Sequence, residues 1–158
     1  KVSFLRVADV CSLSIAAGVF LTRIGCFLSG CCFGQPTECP AGMVFPHGSP
    51  AGNAYPGLHV HPTQLYSSFY GLAIFLIILL LERKRRFDGF SFGVLLVLYG
   101  LARFIVDSFR FYEESAYVSR SLIDNQLISI FLMIFGAGLL FIQWSRARRA
   151  AAGGDRKV

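Results

Sequence analysis

Residues 90–109 read FSFGVLLVLYGLARFIVDSF, twenty residues with two charges. At a rise of about 1.5 Å per residue they make a helix about 30 Å long, the thickness of a bilayer's hydrocarbon core. The two charges decide how that helix must sit. Tyr99, Arg103, Asp107 and Arg110 are spaced i, i+4, i+8 and i+11, so they share one helical face, and the other faces are Leu, Val, Ile and Phe. Charged side chains are costly in hydrocarbon and are functional candidates by default. This stripe must therefore face protein or a wet cavity.

Three further apolar runs lie around it. Residues 64–81 and 126–144 are long enough to span, and residues 7–28 form a weaker run with Asp9 and Arg23 near its ends. The composition agrees: 158 residues, 54% hydrophobic and 15% charged, with 16 Phe and a mean hydropathy of +0.58. Soluble domains carry about 25% charged residues. A disordered chain is excluded and an integral membrane protein is the leading class. The expected fold is all-α: a polytopic membrane helical bundle with about four transmembrane helices. Residues 1–145 form the helical domain, with an outer loop at 33–63, and residues 146–158 form a basic cytoplasmic tail.

Charge sets the orientation. The net charge is +6, and nine of the fifteen basic residues fall at 83–86 and in 146–157, each directly after an apolar run. Basic clusters in that position mark the cytoplasmic ends of membrane helices. Nucleic-acid binding would instead want aromatics among the charges on a soluble face, and no nucleic-acid partner is expected. Four crossings then put both ends inside and the loops 33–63 and 110–125 outside. The first of these loops contains no Lys or Arg, and the second is mixed in charge, with Arg110, Glu113, Glu114, Arg120 and Asp124. The chain opens on Lys1 without a signal-peptide pattern and is expected to lack upstream sequence.

The outer side collects the chemistry. The Arg103 guanidinium can bind phosphate bidentately while Asp107 orients it. The alternative is an internal Arg103–Asp107 pair that only ties helices together. Arg23 ends the first span and precedes the glycine- and cysteine-rich string Ile24-Gly25-Cys26-Phe27-Leu28-Ser29-Gly30-Cys31-Cys32-Phe33-Gly34; taken alone it could simply snorkel to the interface. His61-Pro62-Thr63-Gln64 reads as a turn feeding the second span, so that His61, Gln64 and Tyr66 line its mouth. Cys11 falls mid-span as packing. Cys31 or Cys32 could reach Cys39 and form a disulfide in an oxidising exterior. A guanidinium near Cys31 would lower its pKa. No CxxC or HxxxH spacing supports a metal site, and no metal or cofactor is expected.

Taken in order, four motifs resemble the carboxy-terminal half or more of the prolipoprotein diacylglyceryl transferase family, from about Arg6 to Trp144. They are Arg23-Ile24-Gly25-x-Phe27, His61-Pro62-Thr63-Gln64-Leu65-Tyr66, Tyr99-Gly100-x-x-Arg103 with Asp107 and Arg110, and Asn125-Gln126-Leu127-x-Ser129. The resemblance implies the last four of seven membrane helices in a multi-pass protein of the bacterial inner membrane, with its active site towards the periplasm. It implies transfer of a diacylglyceryl group from phosphatidylglycerol to the lipobox cysteine thiol of a preprolipoprotein, the first step of lipoprotein maturation. The partners it implies are phosphatidylglycerol, the lipobox peptide and membrane lipids. By the same resemblance Arg103, Tyr99 and His61 are catalytic, with Arg103 on the departing phosphate. Arg23, Gln64, Tyr66, Asp107, Arg110 and Gln126 bind substrate.

The chain departs from the family pattern in its polar network. Cys26 and Ser29 stand where the family usually has Asn, and Cys31 and Ser67 where it has Glu. Asp107 replaces a usual Glu and Asn125 a usual Gly. A family histidine in an upstream glycine-rich motif has no counterpart. Two other readings follow: a membrane lipid-binding relative that keeps the headgroup site without the chemistry, and an outer-loop thiol or metal protein.

Overall fold

The computed structural model describes residues 3–83, 87–110, 117–119 and 122–154. Its frame is four long helices: α1 (Phe4–Ser29), α3 (Thr63–Glu82), α4 (Phe90–Asp107) and α5 (Asp124–Gly154), with a short α2 (Pro50–Ala54) between the first two. All four are long and apolar enough to cross a membrane, which bears out the helical bundle expected from hydropathy. The boundaries have local causes. α1 stops where Gly30 turns left-handed (φ 66°, ψ 18°), a conformation that costs glycine nothing. Pro62 precedes the first turn of α3, where its missing N–H is harmless. α5 continues past its apolar run to Gly154, carrying Arg146, Arg148 and Arg149 with it. Lys84, Arg85, Arg86, Glu113, Glu114, Arg120, Arg156 and Lys157 lie outside the described residues.

α3 and α4 occupy the middle. α3 packs on α1 and α4, and α4 packs on α5 and α1. Ala16, Tyr70, Ile74, Ile78, Leu95 and Val106 make the buried core between α1, α3 and α4. Without a hydrophobic force between helices in lipid, close packing of small residues has to supply contact. α4 and α5 do this with glycine. A side chain at Gly136 would meet Leu96 Cβ at 2.8 Å, and one at Gly100 would meet the Ser129 carbonyl at 2.8 Å. The outward faces carry large apolar side chains such as Phe69, Leu80, Phe131, Ile134 and Phe141, as a lipid-facing surface requires.

The segment between α1 and α3 is tied down by its own backbone. Gly34 N–H donates to the His61 carbonyl (2.9 Å), His61 N–H to Gln35 (3.0 Å), and Gln35 N–H to Phe109 (3.0 Å). Met43 and Val60 exchange a pair of bonds, each 3.0 Å. Phe45, Ala51 and Val60 form a second small core with Phe27, Phe33 and Tyr55. Ser49 caps α2, accepting from Gly52 N–H at 3.1 Å. A two-stranded antiparallel ladder, β1 (Tyr117–Ser119) and β2 (Leu122–Ile123), precedes α5.

At the opposite end, the basic end, Asp9 is buried in α1 and serves a different helix. Its Oδ2 accepts from Gly89 N–H (2.7 Å) and its Oδ1 from Phe92 N–H (2.9 Å). These donors open α4, whose Gly89 brings no side-chain cap of its own. A carboxylate there satisfies orphan amides and meets the positive end of the helix dipole. Beside it the Ser91 hydroxyl donates to Glu82 across the α3–α4 turn.

Candidate functional site

The loop end gathers most of the residues singled out by sequence. The α4 stripe holds together as an ion-pair cluster. Asp107, fully buried, pairs with Arg103 (Nε to Oδ2, 3.1 Å) and with Arg110 (Nη1 to Oδ1, 4.0 Å). One carboxylate thus braces two guanidiniums, both of which remain half-buried. Arg103 reaches Asp107 by the i, i+4 spacing of α4, whereas Arg110 lies three residues past the helix end, where it bridges to Gly34.

Arg23 arrives from α1. The Arg23 and Arg103 guanidiniums both act electrostatically on the phenol of Tyr70 in α3. The Tyr70 ring meets that of Tyr99 edge to face, with centroids 6.0 Å apart. Tyr70 is 92% buried (8% exposed) and its hydroxyl has no hydrogen-bond partner among the described residues. A buried phenol without a partner costs about 1–3 kcal/mol. Tyr70 of α3 and Tyr99 of α4 thus meet on the buried side of the two helices. The sequence analysis did not single out Tyr70, which is buried in α3 together with Gln64 and Ser67.

His61 and Tyr66 pair next to it. His61 Nδ1 lies 3.2 Å from the Tyr66 hydroxyl, and the ring packs edge-on against Phe109 at 5.5 Å. Gly34 has to be glycine for this contact to exist. A Cβ there would fall 2.6 Å from His61 Cβ and 2.6 Å from the Phe109 carbonyl. Gln64 stands behind the site: its Nε2 donates to the Cys31 carbonyl (2.7 Å), and neighbouring Thr63 Oγ1 donates to the Cys32 carbonyl (2.9 Å). Gln126 begins α5 and reaches Ser108 Oγ at 3.5 Å. So Arg103, Asp107 and Arg110 form the charged centre, Tyr99 packs against Tyr70, and Arg23 lies near the loop end of α1. His61 and Tyr66 form its neighbouring wall, and Gln64 and Gln126 hold backbone and helix ends.

The cysteines differ from expectation. All five are unbridged. Cys31 and Cys32 gather with Cys26 and not with exposed Cys39, because the turn at Gly30 folds the chain back on α1. The expected acidification of Cys31 is also reversed. Burial pushes the Cys31 thiol up to about 11, helped by its contacts with Cys26 and Cys32. Burial also pushes Cys32 upward, but Arg110, the bond with Cys31 and Arg23 together bring it below the ordinary thiol value.

Chemically the arrangement suits an anion with an apolar tail: clustered guanidiniums, phenol donors and an aromatic-lined wall, all at the end of membrane-spanning helices. Comparison with known proteins points the same way. A family model described as prolipoprotein diacylglyceryl transferase matches residues 1–142. A phosphatidylglycerol–prolipoprotein diacylglyceryl transferase of Clostridium tetani is 37% identical over 132 residues, covering 84% of this chain and 51% of that protein. Its counterpart in Idiomarina loihiensis is 37% identical over 142 residues, covering 87% and 50%. That of Pseudoalteromonas translucida is 33% identical over 154 residues, covering 96% and 55%. The chain spans about half the length of the curated relatives it matches.

Proposed function

Since the chain belongs to the prolipoprotein diacylglyceryl transferase family, we propose that the whole protein moves a diacylglyceryl group from phosphatidylglycerol to the lipobox cysteine thiol of a preprolipoprotein. In that reaction the thiol sulfur attacks the sp³ carbon esterified to phosphate. A C–S bond forms, the C–O bond to phosphate breaks, and glycerol phosphate leaves with the bonding pair. The thiol proton has to go to a base.

The observation that carries this reading is the pair of guanidiniums, Arg103 at 3.1 Å and Arg110 at 4.0 Å, gathered on the buried Asp107 carboxylate at the loop end of the apolar helices. A phosphate against this pair compensates the positive charge that Asp107 alone leaves in excess. Arg103 is the leaving-group cation, its guanidinium oriented by Asp107 through Nε. Charge that builds on the departing phosphate is what such preorganised donors stabilise most. Tyr99 supports the same oxygens through its contact with Tyr70. Arg23 binds the ground-state headgroup. His61, beside Tyr66, takes the thiol proton, either at once or through the phenol. Arg110 and Gln126 hold the rim, while Gln64 and Tyr66 shape the entry.

The site then faces the periplasm from the bacterial inner membrane, because basic residues gather at the opposite end. Cys39 is exposed in the loop. A membrane-impermeant maleimide added to intact spheroplasts should label it, and should not label a cysteine placed at position 83. Labelling at 83 would invert the orientation.

The deciding assay is transfer of labelled diacylglyceryl to a lipobox peptide by the full-length protein, with lipid binding measured separately. Arg103→Lys should lose turnover far more than lipid binding, because an ammonium cannot supply the planar fork. Arg23→Ala should weaken lipid binding as well. Near-normal turnover in Arg103→Lys would make this guanidinium structural and remove the catalytic assignment.

A further inference from the structure

Beside the anion site three thiols converge, and the transfer reaction uses none of them. The convergence is built by the backbone. α1 ends in a Schellman turn: Gly30 N–H bonds the Phe27 carbonyl (3.0 Å) and Cys31 N–H bonds the Cys26 carbonyl (3.1 Å). That motif brings the residue after the left-handed glycine into side-chain contact with the residue five earlier, a place where apolar pairs normally sit. Here the two residues are Cys31 and Cys26, and the Cys31 thiol lies 3.7 Å from the Cys26 carbonyl.

Cys32 joins them through a conformation that L-residues rarely adopt. Its φ is 60°, and among the described residues it is the one non-glycine with positive φ. Such backbone persists only where the surroundings impose it. Thr63 and Gln64, each 1% exposed, do so by holding the carbonyls of Cys32 and Cys31. The outcome is that the sulfurs of Cys26, Cys31 and Cys32 all lie within 4.8 Å of one another, each half-buried.

We propose that Cys26, Cys31 and Cys32 form a three-thiolate site for a soft, thiophilic metal cation. Thiolate–metal bonds of about 2.3 Å place sulfurs roughly 4 Å apart around a common ion, so side-chain rotation alone closes the cluster. Sulfur ligands select soft ions such as Cu(I) and Zn(II) over Mg(II) or Ca(II). Three thiolates around one such ion carry a net negative charge, and the guanidiniums of Arg110 and Arg23 stand close enough to Cys32 to offset it. A disulfide would use two of the three sulfurs and leave the imposed strain at Cys32 without a purpose.

The test uses the full-length protein, reduced and purified in detergent under inert gas, with Cd(II) as the probe. One equivalent should bind and produce the ultraviolet charge-transfer absorption of cadmium thiolates. Cys26→Ser, Cys31→Ser and Cys32→Ser should each weaken binding at least tenfold, and Cys11→Ser and Cys39→Ser should not. In the unaltered protein, Cd(II) should protect the peptides carrying Cys26, Cys31 and Cys32 from maleimide while Cys39 still reacts. That footprint decides the matter if a serine variant fails to fold. Absence of the absorption, or protection that leaves Cys31 and Cys32 reactive, would overturn the proposal. So would a disulfide among the three in protein isolated without reductant. Diacylglyceryl transfer is measured in a separate assay, so failure of the metal site and failure of the transferase reading remain distinguishable.

Discussion

The two ends of the bundle both bury carboxylates, and they treat them differently. At the basic end Asp9 accepts two backbone N–H groups of α4, at 2.7 and 2.9 Å, and Glu82 accepts the Ser91 hydroxyl. These three bonds join one helix to another or close a turn. At the loop end Asp107 binds cationic side chains, Arg103 of its own helix and Arg110 three residues past its end. Nearby, the Tyr70 hydroxyl and Gln64 Oε1 are buried with no hydrogen-bond partner among the described residues. Among the described residues, the carboxylates of the basic end are met within the chain. The loop end is arranged for something that arrives. Buried polar groups left in suspense lower stability, and proteins keep them where function requires it.

Four substitutions bear on this contrast. The largest effect should come from Asp9→Ala. It strands two amides at about 1–3 kcal/mol each, so thermal unfolding in detergent should show a loss of about 2–6 kcal/mol, with activity falling only as the fold is lost. An Asp9→Ala protein of normal stability that lacks transfer would make Asp9 a site residue and erase the contrast. Next is Asp107→Asn. Without its negative charge Arg103 is no longer braced, and transfer should fall on the order of 10²-fold, as for loss of a preorganised transition-state contact. The melting temperature should move much less than for Asp9→Ala. Tyr70→Phe sharpens the comparison most, because the two readouts should go in opposite directions. Removing an unpartnered buried hydroxyl should raise stability by about 1 kcal/mol. Lipid affinity should fall about tenfold if that hydroxyl donates to phosphate. A drop in stability would mean the hydroxyl already has a structural partner. The smallest effect belongs to Ser49→Ala, which removes the α2 cap at about 1 kcal/mol. Hydrogen exchange should quicken at amides 50–55 and stay unchanged in α4.

The spans and the α4 stripe are legible in the sequence because each depends on a single periodicity and a length. Residues 90–109 announce both a helix and its polar face, and Arg103, Asp107 and Arg110 do meet as their spacing demands. What is not legible depends on chain reversal. Nothing in the order of residues says that Asp9 caps a helix eighty residues away. The loop between α1 and α3 reads as irregular, because its order comes from single backbone bonds such as Gly34 to His61, not from a repeat. The cysteines mislead for the same reason. Spacing rules look for CxxC, whereas Cys26 and Cys31 meet through a left-handed turn at Gly30 and Cys32 through one strained dihedral. Tyr70 escapes notice since its neighbours Arg23 and Arg103 come from two other helices.

The reach of the Asp9 cap has a consequence for how the protein is made. The carboxylate leaves the ribosome about eighty residues before the amides of Gly89 and Phe92 that receive it. At 5–20 residues per second that is an interval of roughly 4–16 s. During that time the α1 carboxylate lacks the two amide donors that it holds in the folded protein. Asp9 sits only one turn and a half into α1, near enough to the membrane surface to stay hydrated while it waits. Arrival of the α4 amides then gives the carboxylate its two donors, so α1 reaches its final seat only once α4 has been made.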